Sequence, residues 1–122
     1  MNSIEVVQQD KNVMIYKSYE SDGHITHTKI NINDVPRMVA CIKQQMLLSL
    51  NTGRMEKTIR YLKESNMKIM FFPREILLYP IRLDYILARR KKMILTLTDE
   101  ELGKIISLLE KTIVCYNKNI RI

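Results

Sequence analysis

The chain has 122 residues and a net charge of +7, and 46% of its residues are hydrophobic. This length suits one domain that buries its own core and is too short for two ordinary domains. The sequence lacks a run of about 18 apolar residues, which excludes a membrane-spanning helix, and it does not begin with a charged-then-apolar leader. We therefore expect a cytoplasmic protein, or a nuclear one if its source is eukaryotic, with no membrane partner.

The excess positive charge lies entirely in the second part of the chain. Residues 1–53 contain five Lys and Arg against five Asp and Glu, whereas residues 54–122 contain fifteen against eight. Clustered cations create a surface of positive potential, so a basic half joined to a neutral half favours a polyanion as partner. Nucleic acid is the polyanion that this pattern favours.

The cysteines and histidines lack the spacing of metal ligands. Cys41 and Cys115 each fall on the apolar face of a predicted helix, outside any CxxC or Cys/His motif. We predict two buried free thiols in a reducing compartment. His24 and His27 lie three residues apart on a predicted strand and therefore on opposite faces. No metal site and no cofactor are predicted.

The first half of the chain begins with strands and continues into a helix. Strands are predicted at 4–7, 13–19 and 24–32. Ser21-Asp22-Gly23 is a tight-turn signal because Gly tolerates a positive φ, and it predicts a hairpin between the second and third strands. Asn33 or Asp34 then caps a helix at 34–50 with a continuous apolar stripe.

The segment that follows is predicted as a short helix and a set of strands. The helix, at 54–65, carries Met55, Ile59 and Leu62 at helical spacing. Pro73 and Pro80 are expected at strand ends, edges or bulges, because proline cannot donate to a ladder. The predicted strands are 67–72, 75–79, 81–87 and 93–97.

The last helix, at 99–115, has the clearest local signal. Thr98-Asp99-Glu100-Glu101 is a capping box, in which the Thr98 hydroxyl accepts from a free amide and Glu101 accepts from the Thr98 amide. Leu102, Ile105 and Leu109 then form part of an apolar stripe. The helix is predicted to pack on a sheet.

Together these elements predict a single α+β domain, with antiparallel sheets packed by amphipathic helices. A weak internal repeat relates residues 1–50 to residues 67–116, with the helix at 54–65 between them. In both halves a strand end, a polar cap and an amphipathic helix follow one another. The exposed strand edges favour a homodimer.

The segment from Lys91 to Leu102 resembles the end of the transcriptional coactivator PC4 family, in which a basic link leads to a last strand, a Ser/Thr cap, acidic residues and a packing helix. Similar arrangements of sheets and helices occur in the Whirly and PUR-type single-strand binders. The resemblance covers about the last third of the chain. It implies antiparallel sheets with helices behind them, single-stranded nucleic acid over the sheet, and Arg89, Arg90, Lys91 and Lys92 as backbone contacts.

We therefore predict a non-catalytic protein that binds single-stranded DNA or RNA, with a role in transcription regulation as the resemblance suggests. An enzyme is not expected, because no nucleophile–base pair, Gly-rich phosphate loop or carboxylate constellation is readable. Tyr16 and Phe72 are further candidate aromatic stackers. The predicted contacts are Arg89, Arg90, Lys91 and Lys92, assisted by Arg82, Arg74 and Lys68, with Tyr85 or Tyr79 as a stacking platform.

Two other interpretations remain open at this stage. In one, residues 35–50 and 54–64 form a helix-turn-helix with the ribbon 67–97 as a wing, which would make the protein a DNA-binding regulator. In the other, the basic half is ordinary solvated surface, and the Met-rich helix contributes apolar area to a homodimeric assembly subunit.

Overall fold

The computed structural model describes residues 2–52, 58–72 and 74–120. Two antiparallel sheets, one of three strands and one of four, pack with helices, so the predicted α+β class is confirmed. The first half comprises β1 (Ser3–Gln9), β2 (Asn12–Ser18), β3 (Ile25–Asn31), a 3-10 turn (Ile32–Asp34) and α1 (Val35–Thr52). The second comprises β4 (Thr58–Leu62), a 3-10 turn (Lys63–Ser65), β5 (Met67–Phe72), β6 (Glu75–Pro80), α2 (Tyr85–Arg90), β7 (Leu95–Thr98) and α3 (Asp99–Ile120).

The predicted hairpin between β2 and β3 is confirmed. Gly23 has a φ of +72°, and the amide of Tyr19 donates to the carbonyl of His24 at 2.8 Å, which closes the turn. Tyr16 consequently pairs with His27, and Lys17 pairs with Thr26.

Exchanging glycines for alanine at two positions should have opposite effects on stability. Gly23→Ala should destabilise the fold by about 1 kcal/mol, because an L-residue is strained at this positive φ although no atom lies within 4 Å of the added Cβ. Gly103→Ala should stabilise it by about 0.5–1 kcal/mol, since Gly103 lies in α3 with equally open surroundings. Urea unfolding measures both. Equal changes at the two sites would show that backbone conformation does not set the difference.

The prediction of a helix at 54–65 is wrong. Residues 58–62 form β4 instead, antiparallel to β5, so that Leu62 pairs with Met67 and is fully buried. The free edge of β5 offers these residues ladder hydrogen bonds, which outweighs the helical spacing of Ile59 and Leu62. Residues 54–57 lie outside the described part. With a strand at 58–62 the predicted recognition helix does not form, which excludes the winged helix-turn-helix interpretation.

The prediction of a strand at 81–87 is also wrong. The Asp84 carboxylate accepts from the amide of Leu87 at 2.8 Å and starts α2 at Tyr85. This N-cap overrides the alternating pattern of Ile81, Leu83, Tyr85 and Leu87. Pro80 ends β6, as predicted, while Pro73 lies outside the described residues.

Capping at the two long helices differs in part from the prediction. Glu101 Oε1 accepts from the Thr98 amide at 2.9 Å, as predicted, but the Thr98 hydroxyl donates to the same oxygen at 3.0 Å. Before α1, Asn31 caps the 3-10 turn. The buried Asp34 carboxylate accepts from the amide and hydroxyl of Ser65 at 2.8 and 2.7 Å, and so joins the two halves of the chain.

One hydrophobic cluster draws residues from both sheets and from both long helices. α3 contacts β1 of the first sheet, α1 contacts β4 of the second, and the two helices contact each other. Ile42 of α1 and Leu109 of α3 are fully buried in this cluster, which confirms the predicted apolar stripes. The halves therefore depend on each other for burial of their helices.

The opposite face of the second sheet is covered by α2. Ala88 of α2 is fully buried in a second apolar cluster with Met70, Leu77 and Tyr79. The prediction of two buried thiols is wrong for Cys115, which is free and exposed on α3, whereas Cys41 is free and half-buried.

Candidate functional site

Strand β3 lies across the end of the second sheet at which β5 begins and β6 ends. At one end of β3, the amide of Asn31 donates to Ser65 Oγ at 2.8 Å. Along the rest of β3 a groove of about 550 Å³ separates the strand from Met67, Pro80 and Met93. We call this cavity the β3 groove. Its lining contains the cations Lys29 and Lys92.

A second cavity continues from the β3 groove beneath α2. This cavity, the α2 cleft, has a volume of about 390 Å³ and shares His24, Thr26 and Lys92 with the β3 groove. Tyr19, Tyr85 and Arg89 also line it, together with the carboxylate residues Asp22 and Glu75. We call the two adjoining cavities together the depression; its lining extends from the first sheet to α2.

The basic link, Arg89-Arg90-Lys91-Lys92, occupies the end of α2 and the turn after it. The amide of Lys92 donates to the Arg89 carbonyl at 3.1 Å and that of Met93 to the Ala88 carbonyl at 2.9 Å, which folds the link back on the helix. Lys92 has a φ of +56° at this reversal. All four side chains are exposed, and Arg89 and Lys92 line the depression.

Arg89 is held in place by an aromatic neighbour. Its Nη1 donates to the Tyr85 hydroxyl at 2.7 Å, and its guanidinium carbon lies 5.6 Å from the Tyr85 ring centroid. Tyr85 is half-buried and packs against Phe72, with ring centroids 6.3 Å apart. The pair thus presents an ordered cation beside a partly exposed ring.

The other predicted contacts do not lie at this site. Arg74 and Arg82 are exposed beyond opposite ends of β6, and Lys68 is half-buried with its Nζ 4.8 Å from the Tyr79 ring centroid. Tyr79 is only 1% exposed, so the prediction of a stacking platform there is wrong: its ring lies in the second apolar cluster. Burial, with neighbouring Tyr61 and Asp84, raises the pKa of the Tyr79 hydroxyl.

Sequence reasoning missed Tyr19 and His24, the aromatic residues that the first sheet brings to the depression, although it had named Tyr16 as a candidate stacker. Tyr19 and His24 have ring centroids 5.9 Å apart beside the α2 cleft, and Tyr16 and His27 have the same separation on the outer face of the sheet. The signal was present, because the turn at Gly23 pairs residue 19 with residue 24 and therefore residue 16 with residue 27. What the sequence could not show was that the basic link lies next to this hairpin.

The described residues contain no group of three or more His, Cys, Asp or Glu side chains placed to hold a metal ion. None of the helices in the described ranges is both long and apolar enough to span a membrane.

Comparisons with protein-family models, with curated proteins and with solved structures find no significant match. The candidate site is therefore defined by its own geometry: a depression bordered by the basic link, by the hairpin of the first sheet and by Tyr85 of α2.

Proposed function

We propose that the protein binds single-stranded nucleic acid without catalysis, along the β3 groove and the α2 cleft. The supporting observation is that the basic link borders a depression that also contains the rings of Tyr19, His24 and Tyr85. Cations that neutralise phosphates, together with rings on which bases stack, are the two elements that single-strand binding requires.

The charges around the depression suggest how a strand would lie. Arg90 and Lys91 are exposed and Lys92 lies where the two cavities meet, so the phosphates would follow the basic link. The carboxylate residues Asp22 and Glu75 line the α2 cleft and repel phosphate. A nucleic acid base, whose N–H groups can donate to these carboxylates, is therefore a better occupant of the cleft than the phosphate backbone.

The same geometry favours a single strand over a duplex. In a duplex the bases stack on one another and the faces of their rings are covered, whereas an unpaired base can enter the cleft beside Tyr85 or stack on His27. Phosphate contacts would supply most of the affinity and little sequence preference.

Replacing Arg89, Arg90, Lys91 and Lys92 together with Ala should remove most of the binding. On a single strand, each phosphate that is no longer neutralised should lower the slope of log affinity against log salt by about 0.7, so removal of all four cations lowers the slope by about 3. Fluorescence anisotropy of a labelled 20-nucleotide oligothymidine, titrated at several salt concentrations beside a duplex, measures the slope.

A control variant with the same change in net charge separates local contact from overall charge. Lys11, Lys63, Lys104 and Lys111 are exposed elsewhere on the surface, and their replacement with Ala should leave the slope nearly unchanged. If the native protein bound both nucleic acid forms weakly and equally, and the basic-link variant bound no less, the proposal would be wrong. The assembly-subunit alternative would then be favoured, with Leu47 and Val114 as apolar residues that are 61% and 52% exposed on the two long helices.

A further inference from the structure

The outer edge of β3 pairs with no other strand among residues 2–52, 58–72 and 74–120. The amide of Tyr19 donates to the carbonyl of His24 at one end of the ladder between β2 and β3. At the other end the amide of Ile32 donates to the carbonyl of Lys11. Because hydrogen-bonded pairs alternate in an antiparallel ladder, the even-numbered residues of β3 bond to β2. The amides and carbonyls of Ile25, His27 and Lys29 therefore point away from β2, towards the β3 groove.

Only one end of this edge has a partner among the described residues. Asn31, the last residue of the outward series, donates its amide to Ser65 Oγ at 2.8 Å. For Ile25, His27 and Lys29, the described part of the chain supplies no hydrogen-bond partner to the outward amides and carbonyls. The edge thus presents three donor and acceptor sets at strand spacing, about 6.6–6.8 Å apart.

The surroundings of the edge are apolar and basic. Ile25 and Met93 are 56% and 38% exposed at the groove, and Met67 and Pro80 form its opposite wall. Lys29, Lys92 and two histidines complete the lining, which contains no Asp or Glu among the described residues. A ligand for this groove therefore combines negative charge with apolar groups.

We propose that the free edge of β3 binds an extended acidic segment of a partner protein as an additional strand of the first sheet. A peptide backbone supplies both donors and acceptors, whereas a phosphodiester backbone supplies acceptors only and would leave the outward carbonyls of Ile25, His27 and Lys29 without donors. A second copy of this chain fits less well, because it would bring the same lysines and histidines against each other.

The chemistry of the segment follows from the strand geometry. Successive side chains of an added strand point to opposite faces of the sheet. One series would lie on the outer face with His27 and Lys29, where carboxylates fit, and the other would face the apolar wall at Met67 and Pro80. A segment that alternates Glu with Val matches both.

This inference goes beyond the proposed function, although the two sites overlap in the β3 groove. Lys92 lines both the β3 groove and the α2 cleft, so a bound acidic peptide and a bound strand would compete for it. An acidic segment would therefore act as a competitor that lowers oligonucleotide affinity.

The test uses a fluorescein-labelled nonapeptide of alternating Glu and Val, titrated against the full chain by anisotropy. The matched probe has the same sequence with all of its backbone nitrogens methylated, which removes every strand donor and keeps the charge. We expect the methylated peptide to bind at least about tenfold more weakly, since the loss of two or more hydrogen bonds exceeds the energy of a tenfold change. Equal binding of the two peptides would overturn the proposal, because only charge would then be recognised.

Two variants and one control locate the binding edge. His27→Pro blocks the outward edge without removing a ladder bond to β2, because its amide points outward, and should abolish peptide binding. Lys29→Glu reverses a charge at the edge and should weaken binding at least about tenfold. Lys104→Glu makes the same charge change at an exposed position on α3 and should have no effect.

Amide hydrogen exchange supplies a readout that does not depend on a variant. On addition of the peptide, exchange should slow at Ile25, His27 and Lys29, while the amides of Thr26 and Thr28 are already protected by β2. Unchanged exchange at all three outward amides in the presence of saturating peptide would contradict strand addition. If oligothymidine binds but the peptide does not, this inference fails and the proposed function stands. If the peptide binds but oligothymidine does not, the proposed function fails and this inference stands.

Discussion

Replacement of Lys17 with Met should destabilise the protein by about 3–5 kcal/mol, because it leaves a buried carboxylate without its cation. Lys17 is only 2% exposed although it is a lysine. Its Nζ donates to Glu101 Oε1 at 2.8 Å and to the Thr96 carbonyl at 2.7 Å. These bonds join β2 of the first sheet to β7 and α3 of the second half, so their loss loosens the contact between the halves.

A double-mutant cycle isolates the pair from the helix cap. Glu101 also accepts from the Thr98 amide, and Gln at this position keeps that acceptor without the charge. Lys17→Met combined with Glu101→Gln should therefore recover much of the stability that Lys17→Met loses, and the coupling free energy measures the pair. Urea unfolding of the four proteins provides the values. A Lys17→Met variant as stable as the native protein would show that the pair does not hold the halves together.

The same pair predicts a pH dependence of stability. Burial by itself would raise the pKa of Glu101, but the hydrogen bonds from Lys17 and Thr98 outweigh it and hold this pKa below the ordinary value of 4.5. A carboxyl whose pKa is lowered on folding stabilises the protein above the unfolded value and loses that contribution as pH falls through the folded one. Between pH 7 and pH 3, stability should therefore fall more in the native protein than in the double variant.

Replacement of Tyr79 with Ala should cost about 3–5 kcal/mol, as expected for the loss of a large buried aromatic side chain. Tyr79 is 1% exposed and extends from β6 into the cluster that contains Met70, Leu83 and Ala88 of α2. Its loss would leave a cavity beneath α2, the helix that positions Arg89. The free energy of unfolding in urea gives the cost.

Tyr61 provides the matched control. It lies on β4, two strands from β6 in the same sheet, and is 45% exposed, so Tyr61→Ala should change stability by only about 0.5 kcal/mol. A Tyr79→Ala variant as stable as the native protein would contradict the view that the Tyr79 ring holds α2 on the sheet.

Local signals in the sequence determined most of the elements. Gly23 set the hairpin between β2 and β3, because only a few residues decide a tight turn. Thr98 and Glu101 set the start of α3, and the apolar stripes that include Ile42 and Leu109 identified the two long helices. Each signal is complete within about ten residues, so no distant partner is needed to interpret it.

The two wrong elements are short, and their partners are distant. β4 has 5 residues and α2 has 6. In so few residues, the hydrophobic period of a strand cannot be distinguished from that of a helix. Residues 58–62 become a strand because β5 offers an edge, and residues 85–90 become a helix because the Asp84 cap and the apolar outer face of the second sheet favour it. Such a choice depends on neighbours that the sequence alone does not place.

Part of the candidate site was likewise visible in the sequence, and part was assembled only by the fold. The basic link at residues 89–92 was identified from the sequence, because four cations in succession are visible without a fold. Its neighbours Tyr19 and His24 come from a hairpin about seventy residues earlier, and the tertiary structure alone brings them to the same depression. The contacts that do so are the buried pair of Lys17 with Glu101, the bonds from Ser65 to Asp34 and the shared apolar core, whose energies arise only when both halves are folded together.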